Sequence, residues 1–249
     1  KLILILQLKE QKIKYGNIEK TQKLEKKIEE LYIHIQEINM LVTKHDIKNL
    51  DRVYRLNLIN SITGVKPGNL IGTESKKGIK NLAIFSSVVH LGSNPAQIGI
   101  VIRPQIKNFK DTYSNIISTK YYTINHISES FIKKAHYTSA KFPHDESEFD
   151  SLKIEAEKIN DFHAPFVKLS QVKIGMKHLK NIDLPNGCIF IIGEIELAYI
   201  NNDALNKIGQ IDLESYKAIG IGGLNSYYKL KHIESFPYVK LNEIPHFDE

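Results

Sequence analysis

Runs of apolar residues four to eight long, broken by glycine, proline and small polar residues, dominate the chain after residue 40. "LAIF" to "VVHL" and "QIGIVI", within Asn81–Pro104, are β-branched enough to read as strands buried on at least one face. "YYTINHI" (121–127) alternates as a half-buried strand does, and 166–179 and 187–200 are long strand candidates. "VKPG", "SKKG" and "SNP" mark turns, and the run 216–230 reads as a strand entering a glycine turn. Only "KDTYSNIIS" and "SESFIKKAH" suggest helices, both short. Many strands with few helices point to a barrel or sandwich rather than alternating strand–helix–strand units.

Residues 1–39 have a different pattern. They hold eight lysines and six glutamates, and Leu24, Ile28, Leu31, Ile35 and Ile38 step by four and three, the seam of a packing helix. The expected organisation is therefore a helical extension over 1–39 and one domain over 40–249. The extension is either an interaction module or a segment with little role.

Composition narrows the function classes. The 249 residues carry a net charge of +6, but only Arg52, Arg55 and Arg103 are arginines, and the lysines are interleaved with glutamates along the whole chain. That is a solvated surface rather than a nucleic-acid footprint. Where lysine serves nearly everywhere, a remaining arginine marks a place where a planar fork matters, such as a phosphate, or else an ordinary surface pair. One cysteine, Cys188, excludes an internal disulfide and suits a reducing cytoplasm. The N-terminal "KLILIL" is too short to span a membrane, and neither a signal peptide nor a membrane partner is expected.

The polar residues inside the apolar runs raise the functional question. Asn81, Ser86, Ser87, His90, Ser93, Asn94 and Arg103 interrupt or end a strand pair, and a buried hydroxyl without a partner costs about 1–3 kcal/mol. Either the fold or a polar ligand must satisfy them. His90, on an apolar strand, reads as a core histidine. "GIGGLN" (220–225) fails the dinucleotide spacing, because Asn225 stands where a third glycine is needed, so its glycines serve a turn or a close approach. The ten histidines show no metal-ligand spacing, and "FSSV" lacks the glycines of a hydrolase elbow. In "KKAHYTSAKFPHDESEFD" (133–150), small residues, hydroxyls, Lys141 and Phe142 form a second polar stretch.

Taken in order, "NLAIFSSVVHLGSNPAQIGIVIRP", "KDTYSNIISTKYYTINHISESFIKKAHYTSAKFPHDESEFD" and "NGCIFIIGEIELAYI" resemble the flavin reductase-like, FMN-binding split-barrel family, most closely its flavoredoxin-like branch. The resemblance runs from about Asp51 to Phe247. It implies a mainly β, Greek-key split barrel with a few short helices, the 1–39 helix being extra. It implies that Asn81, Ala83, Phe85, Ser86 and Ser87 line the isoalloxazine and ribityl chain of FMN, with Ser93, Asn94 and Pro95 in a turn beside it. Arg103 would pair with the phosphate, and Thr112 and Asn115 would start a helix facing the same anion. Thr138, Ser139, Phe142, Gly222, Gly223 and Tyr227 complete the implied flavin site, and no metal is implied. Two departures stand out: Ile84 replaces the family's proline, and Gly187-Cys188 stands where many nicotinamide-using members carry Asp-His. The implied activity is a flavin reductase, taking hydride from NADH or NADPH and passing electrons to free flavin or to a redox or monooxygenase partner. The alternative is an FMN-holding electron carrier that does not itself use NAD(P)H. His126 and His136 are the candidate catalytic side chains, and a homodimer is expected.

Overall fold

The computed structural model describes residues 22–23, 25–28, 30, 40–104 and 111–247. Its contacts divide it into two units, Lys1–Leu56 and Asn57–Glu249.

In the first unit, the described residues between 22 and 30 are helical. Of the expected seam only the half-buried Ile28 is among them; Leu24, Leu31, Ile35 and Ile38 lie outside the described residues. Helix α1 (Lys44–Asn49) starts from a reciprocal cap: the Asp46 amide donates to Thr43 Oγ1 at 3.2 Å and the Thr43 amide to Asp46 Oδ2 at 2.8 Å. The Asp51 carboxylate accepts the Val53 and Tyr54 amides and so starts α2 (Arg52–Ser61). Strands were expected from Met40 onward; these two caps make the chain helical to Ser61 instead.

In the second unit, which also holds the end of α2, every strand pairing is antiparallel. Strands β1 (Val65–Pro67), β2 (Asn69–Glu74), β3 (Lys80–Phe85), β4 (Val88–Ser93), β5 (Ala96–Ile102) and β6 (Tyr121–His126) come first. Helix α3 (Asp111–Thr119) lies between β5 and β6. After β6 come α4 (Ile132–Tyr137), α5 (Glu148–Ser151), β7 (Ala156–Glu157) and β8 (Phe166–Val167). The chain closes with β9 (Val172–Asp183), β10 (Ile189–Ile200), β11 (Ile219–Gly222) and β12 (Ser226–Lys229). The largest sheet has the order β3-β2-β6-β9-β10-β5-β4, and β1-β11-β12 form a second.

That order dictates closure. β3 and β4 are the two edges of the seven-stranded sheet, yet only Ser86 and Ser87 join them. Laid flat, those edges would stand about 29 Å apart at 4.8 Å per strand. The connection reaches only about 11 Å, so the sheet must roll up. Ser87 pins the crossover, its hydroxyl donating to the Val101 carbonyl at 3.0 Å.

The inner wall buries Ile71, Ile100, Tyr122, Ile124, Met176 and Ile191, and Ile116 of α3 belongs to the same cluster. The opposite faces of β2 and β3 bury Leu70 and Leu82 with Ile127, Phe131, Ala135, Phe149 and Ile219. With both faces covered, these strands need no polar side, which is why their sequence runs are continuous rather than alternating.

Two expected strands are each broken in two. The run 81–91 splits at Ser86-Ser87, and 166–179 splits between Val167 and Val172. In the second break, the buried Ser170 hydroxyl lies 2.8 Å from both the His126 and the Val172 carbonyls, which turns the chain. β4 also departs from expectation: it is a largely exposed edge strand, so His90 is exposed rather than a core histidine. No described helix is long and apolar enough to cross a membrane.

Candidate functional site

Strand alternation puts Asn81, Ala83 and Phe85 on the inner face of β3, while Leu82 and Ile84 face outward into the cluster that holds Tyr227. The expected flavin residues therefore fall into four groups.

The first is a buried brace. Asn81 Nδ2 donates to Thr112 Oγ1 at 3.0 Å and to Thr73 Oγ1 at 3.3 Å, and Asn115 Nδ2 donates to Thr73 Oγ1 at 3.1 Å. All four side chains are buried. They fasten α3 across β2 and β3, so here the fold itself satisfies the polar groups. Thr73, the shared acceptor, was not anticipated; its register directly opposite Asn81 emerges only from the pairing. At the start of α3, the Asp111 carboxylate is hydrogen-bonded to His144 Nδ1, so the first turn already carries an anionic partner.

The second group sits at the β3–β4 crossover. Phe85 packs on the inner core, and Ser86 and Ser87 are half-buried. Arg103 follows the last residue of β5 and is exposed, two residues after Val101, whose amide donates to the Ser87 carbonyl at 3.4 Å. Ser86 makes no side-chain hydrogen bond among the described residues. Pairing sets Phe85, Asn69 and His126 side by side across three strands. Asn69 Oδ1 is buried there with no partner. A buried unpaired acceptor costs about 1–3 kcal/mol, which makes this end of the barrel one of the places among the described residues where the fold leaves polar capacity unused. Asn69 was missed in the sequence, where "PGNLIG" reads as a turn entering a strand.

His126, at the end of that row, shares a 2.8 Å hydrogen bond between Nδ1 and the Tyr216 hydroxyl. Burial pushes its pKa down to about 4 and that of Tyr216 up to about 12. The imidazole is therefore neutral at pH 7. Tyr216 in turn lines a polar cleft of about 290 Å³ with Ser128, Ser130, Asn201, Asp203 and Lys217. None of the expected flavin residues lines that cleft.

The third group joins α4 to the β11–β12 hairpin. His136 Nδ1 is 2.7 Å from the Tyr227 hydroxyl, whose pKa burial raises. Thr138 and Ser139 spend their hydroxyl protons on the carbonyls of Ala135 and His136 and keep their oxygens as acceptors. Gly222 is buried and Gly223 turns the hairpin at φ 62°. Phe142 is half-buried beyond α4. The fourth group, Ser93, Asn94 and Pro95, is the exposed tip of the β4–β5 hairpin, with a cis Asn94-Pro95 bond. It lies a full strand, about 17 Å at 3.3 Å per residue, from the crossover.

Glu148 is a further residue that sequence reasoning passed over. This buried carboxylate accepts the Leu82 amide of edge strand β3 at 2.8 Å. Burial raises its pKa, and nearby Asp111 adds to the rise.

The donor set fits a flavin mononucleotide at the crossover: an aromatic and a small side chain for the ring, free hydroxyl capacity, and a guanidinium for a phosphate. Comparison with known proteins bears on the family. Residues 65–217 match the family described as "Flavin reductase like domain". A split-barrel protein of Shewanella frigidimarina NCIMB 400, provisionally named a flavin reductase, is 41% identical and superposes with a TM-score of 0.77, covering 81% of this chain and all of that one. Nitrilotriacetate monooxygenase component B of Bacillus cereus (20% identical, TM-score 0.71, 80% and 98% covered) shares the fold. So does flavoredoxin of Desulfovibrio vulgaris Miyazaki F (20%, 0.61, 70% and 91%). An uncharacterised Aquifex aeolicus protein is 28% identical over 180 residues, 72% of this chain and 90% of its own. With the rolled sheet and the matched span in agreement, the chain belongs to the flavin reductase-like family of split barrels.

Proposed function

We propose that the chain binds FMN at the β3–β4 crossover and works as a flavin reductase. In this reading it takes hydride from NADH or NADPH and passes electrons to free flavin or to a redox or monooxygenase partner. The observation that carries it is the row Phe85–Asn69–His126 beside Ser86, where Asn69 Oδ1 and the Ser86 hydroxyl have no partner among the described residues, next to an apolar wall.

Bound flavin supplies the electron-accepting ring. The chain's own residues hold and orient it. Ala83 and Phe85 offer the apolar surface, and Ser86 and Ser87 offer hydroxyls. Arg103 supplies a two-pronged donor suited to a phosphate. Thr138 and Ser139 keep acceptor oxygens for the hydroxyls of a ribityl chain. Asn81, Thr112 and Asn115 act one layer behind, by fixing α3. His126, neutral at pH 7, is a hydrogen-bonding group rather than a cation there.

A second reading has its own support. At Gly187-Cys188 the chain makes a tight hairpin turn, Gly187 at φ 78° donating its amide to the Leu184 carbonyl at 2.8 Å. The turn presents neither the Asp nor the His that the resemblance implies for many nicotinamide-using members of the family. That favours an electron carrier reduced by another protein.

One experiment separates the two: visible spectra of the FMN-loaded protein under nitrogen, before and after NADH or NADPH. Bleaching on nicotinamide addition supports the reductase. Flavin that binds and stays oxidised supports the carrier. Failure to bind FMN at all overturns both. We also propose that the working unit is a homodimer.

A further inference from the structure

Residues 231–247 leave the last strand as an arm without helix or strand apart from a single turn at Leu241–Glu243. The arm is rich in large apolar side chains that the described residues leave uncovered: Ile233 is 95% exposed, Tyr238 91%, Leu241 90%, Phe247 81% and Phe236 76%. The His232 amide ties it to the barrel by donating to Glu214 Oε2 at 3.0 Å. Single exposed apolar residues are ordinary, but a continuous uncovered series marks an interaction surface.

The barrel carries a matching surface. On β4, β5, β10 and β9 the inner face holds Val88, Ile100, Ile189 and Ile191, so alternation turns Val89, Val101, Phe190, Ile192 and Ile182 outward. The Phe190 ring lies across Gly99, where a Cβ would come within 2.2 Å of it, and this flattens the patch. Val89 is 46% exposed and Ile182 40%. Arm and patch are uncovered together, so the arm is not seated on the patch of its own chain.

We infer that the C-terminal arm 231–247 docks on the β4–β5–β10–β9 face of a second copy, the two copies exchanging arms about a two-fold axis. Two complementary surfaces on one chain close without leftover edges when each copy gives its arm to the other. The area is sufficient. An aromatic side chain buries about 150–250 Å², so three aromatics with their aliphatic neighbours supply roughly 600 Å² or more from each arm. Two arms and the faces they cover then exceed the roughly 1,600 Å² of a stable interface. This inference rests on the homodimer proposed above and says what holds it together.

The test is the dimer dissociation constant, by sedimentation, of the full chain, of the chain truncated after Leu230, and of the full chain carrying Phe236→Asp and Tyr238→Asp. A Val89→Lys chain probes the opposite surface. The expected result is a dimeric full chain, with each change weakening association by about tenfold or more, as loss of anchor residues does. The circular dichroism of each monomer should be unchanged. Should truncation impair folding, the double substitution, at two exposed positions, decides alone. A dimer of unchanged affinity in the double substitution overturns arm exchange and leaves the homodimer standing. A full chain that is monomeric at high concentration overturns the homodimer itself.

Discussion

His136 Nδ1 and the Tyr227 hydroxyl meet at 2.7 Å although 91 residues separate them in the chain. The contact ties the helix that precedes Thr138 and Ser139 to the hairpin that contains Gly222 and Gly223. The bond, between partly buried groups, joins two segments of the implied flavin site that also share one hydrophobic cluster. Tyr227→Phe keeps the ring packed and removes only that bond. It should lower stability by about 1 kcal/mol, the net worth of a typical hydrogen bond, in chemical denaturation. FMN affinity, measured by fluorescence quenching, should fall further than with Tyr228→Phe, a control on the exposed side of the same strand.

His126 should dominate stability in mild acid. Its folded pKa of about 4 lies below the usual histidine value because burial disfavours the charged ring. Between about pH 6.5 and 4 the unfolded chain takes up a proton that the folded chain refuses. Stability therefore falls as pH drops through that window and levels off below it, by roughly 3 kcal/mol at most for a shift of this size. Unfolding free energies measured across pH 4–7 should show this slope in the parent and a reduced one in His126→Phe. An equal slope in both would place the titration elsewhere.

Glu148 should act with the opposite sign. Its folded pKa is raised, so its contribution is full at low pH and is lost as pH rises through the folded value. Glu148→Gln keeps an oxygen for the Leu82 amide and removes the charge, so at pH 7 it should be neutral to stabilising. Glu148→Ala leaves that amide unpaired and should cost about 1–3 kcal/mol. Faster hydrogen exchange at Leu82 in the alanine variant alone would confirm that the carboxylate guards the edge of β3.

Inside the barrel, Tyr122 and Gly193 form a tight pair. A Cβ on Gly193 would stand 2.2 Å from the Tyr122 hydroxyl and 3.1 Å from the Lys177 carbonyl, and that hydroxyl is buried without a partner. Gly193→Ala should destabilise by about 1–3 kcal/mol, the usual cost of overpacking. In a Tyr122→Phe background the penalty should shrink, because the obstructing oxygen is gone. A thermal-melt double-mutant cycle measures the coupling. Additive effects would mean the backbone, not the hydroxyl, is the obstacle.

Much of this was legible in the chain itself, because strand propensity, turn residues and short apolar runs are local properties. β5, β6 and β10, α3 and the glycine hairpin fall, to within a few residues at their ends, where the patterns of 97–102, 121–127, 187–200, 110–118 and 216–230 put them. The motifs around "NLAIFSS" and "AHYTSA" were enough to indicate the flavin reductase-like family. Burial and partnership were not legible, because they depend on which strands become neighbours. Only the rolled sheet shows that Ser86-Ser87 is a crossover between two edges and that His90 faces solvent. Only strand register puts Thr73 opposite Asn81, and so turns Asn81, Thr112 and Asn115 into a brace rather than an open ligand face. Only three-strand pairing gathers Phe85, Asn69 and His126 into one row. A hydrophobic pattern can specify that a residue is covered; what covers it is decided by chain segments tens of residues away.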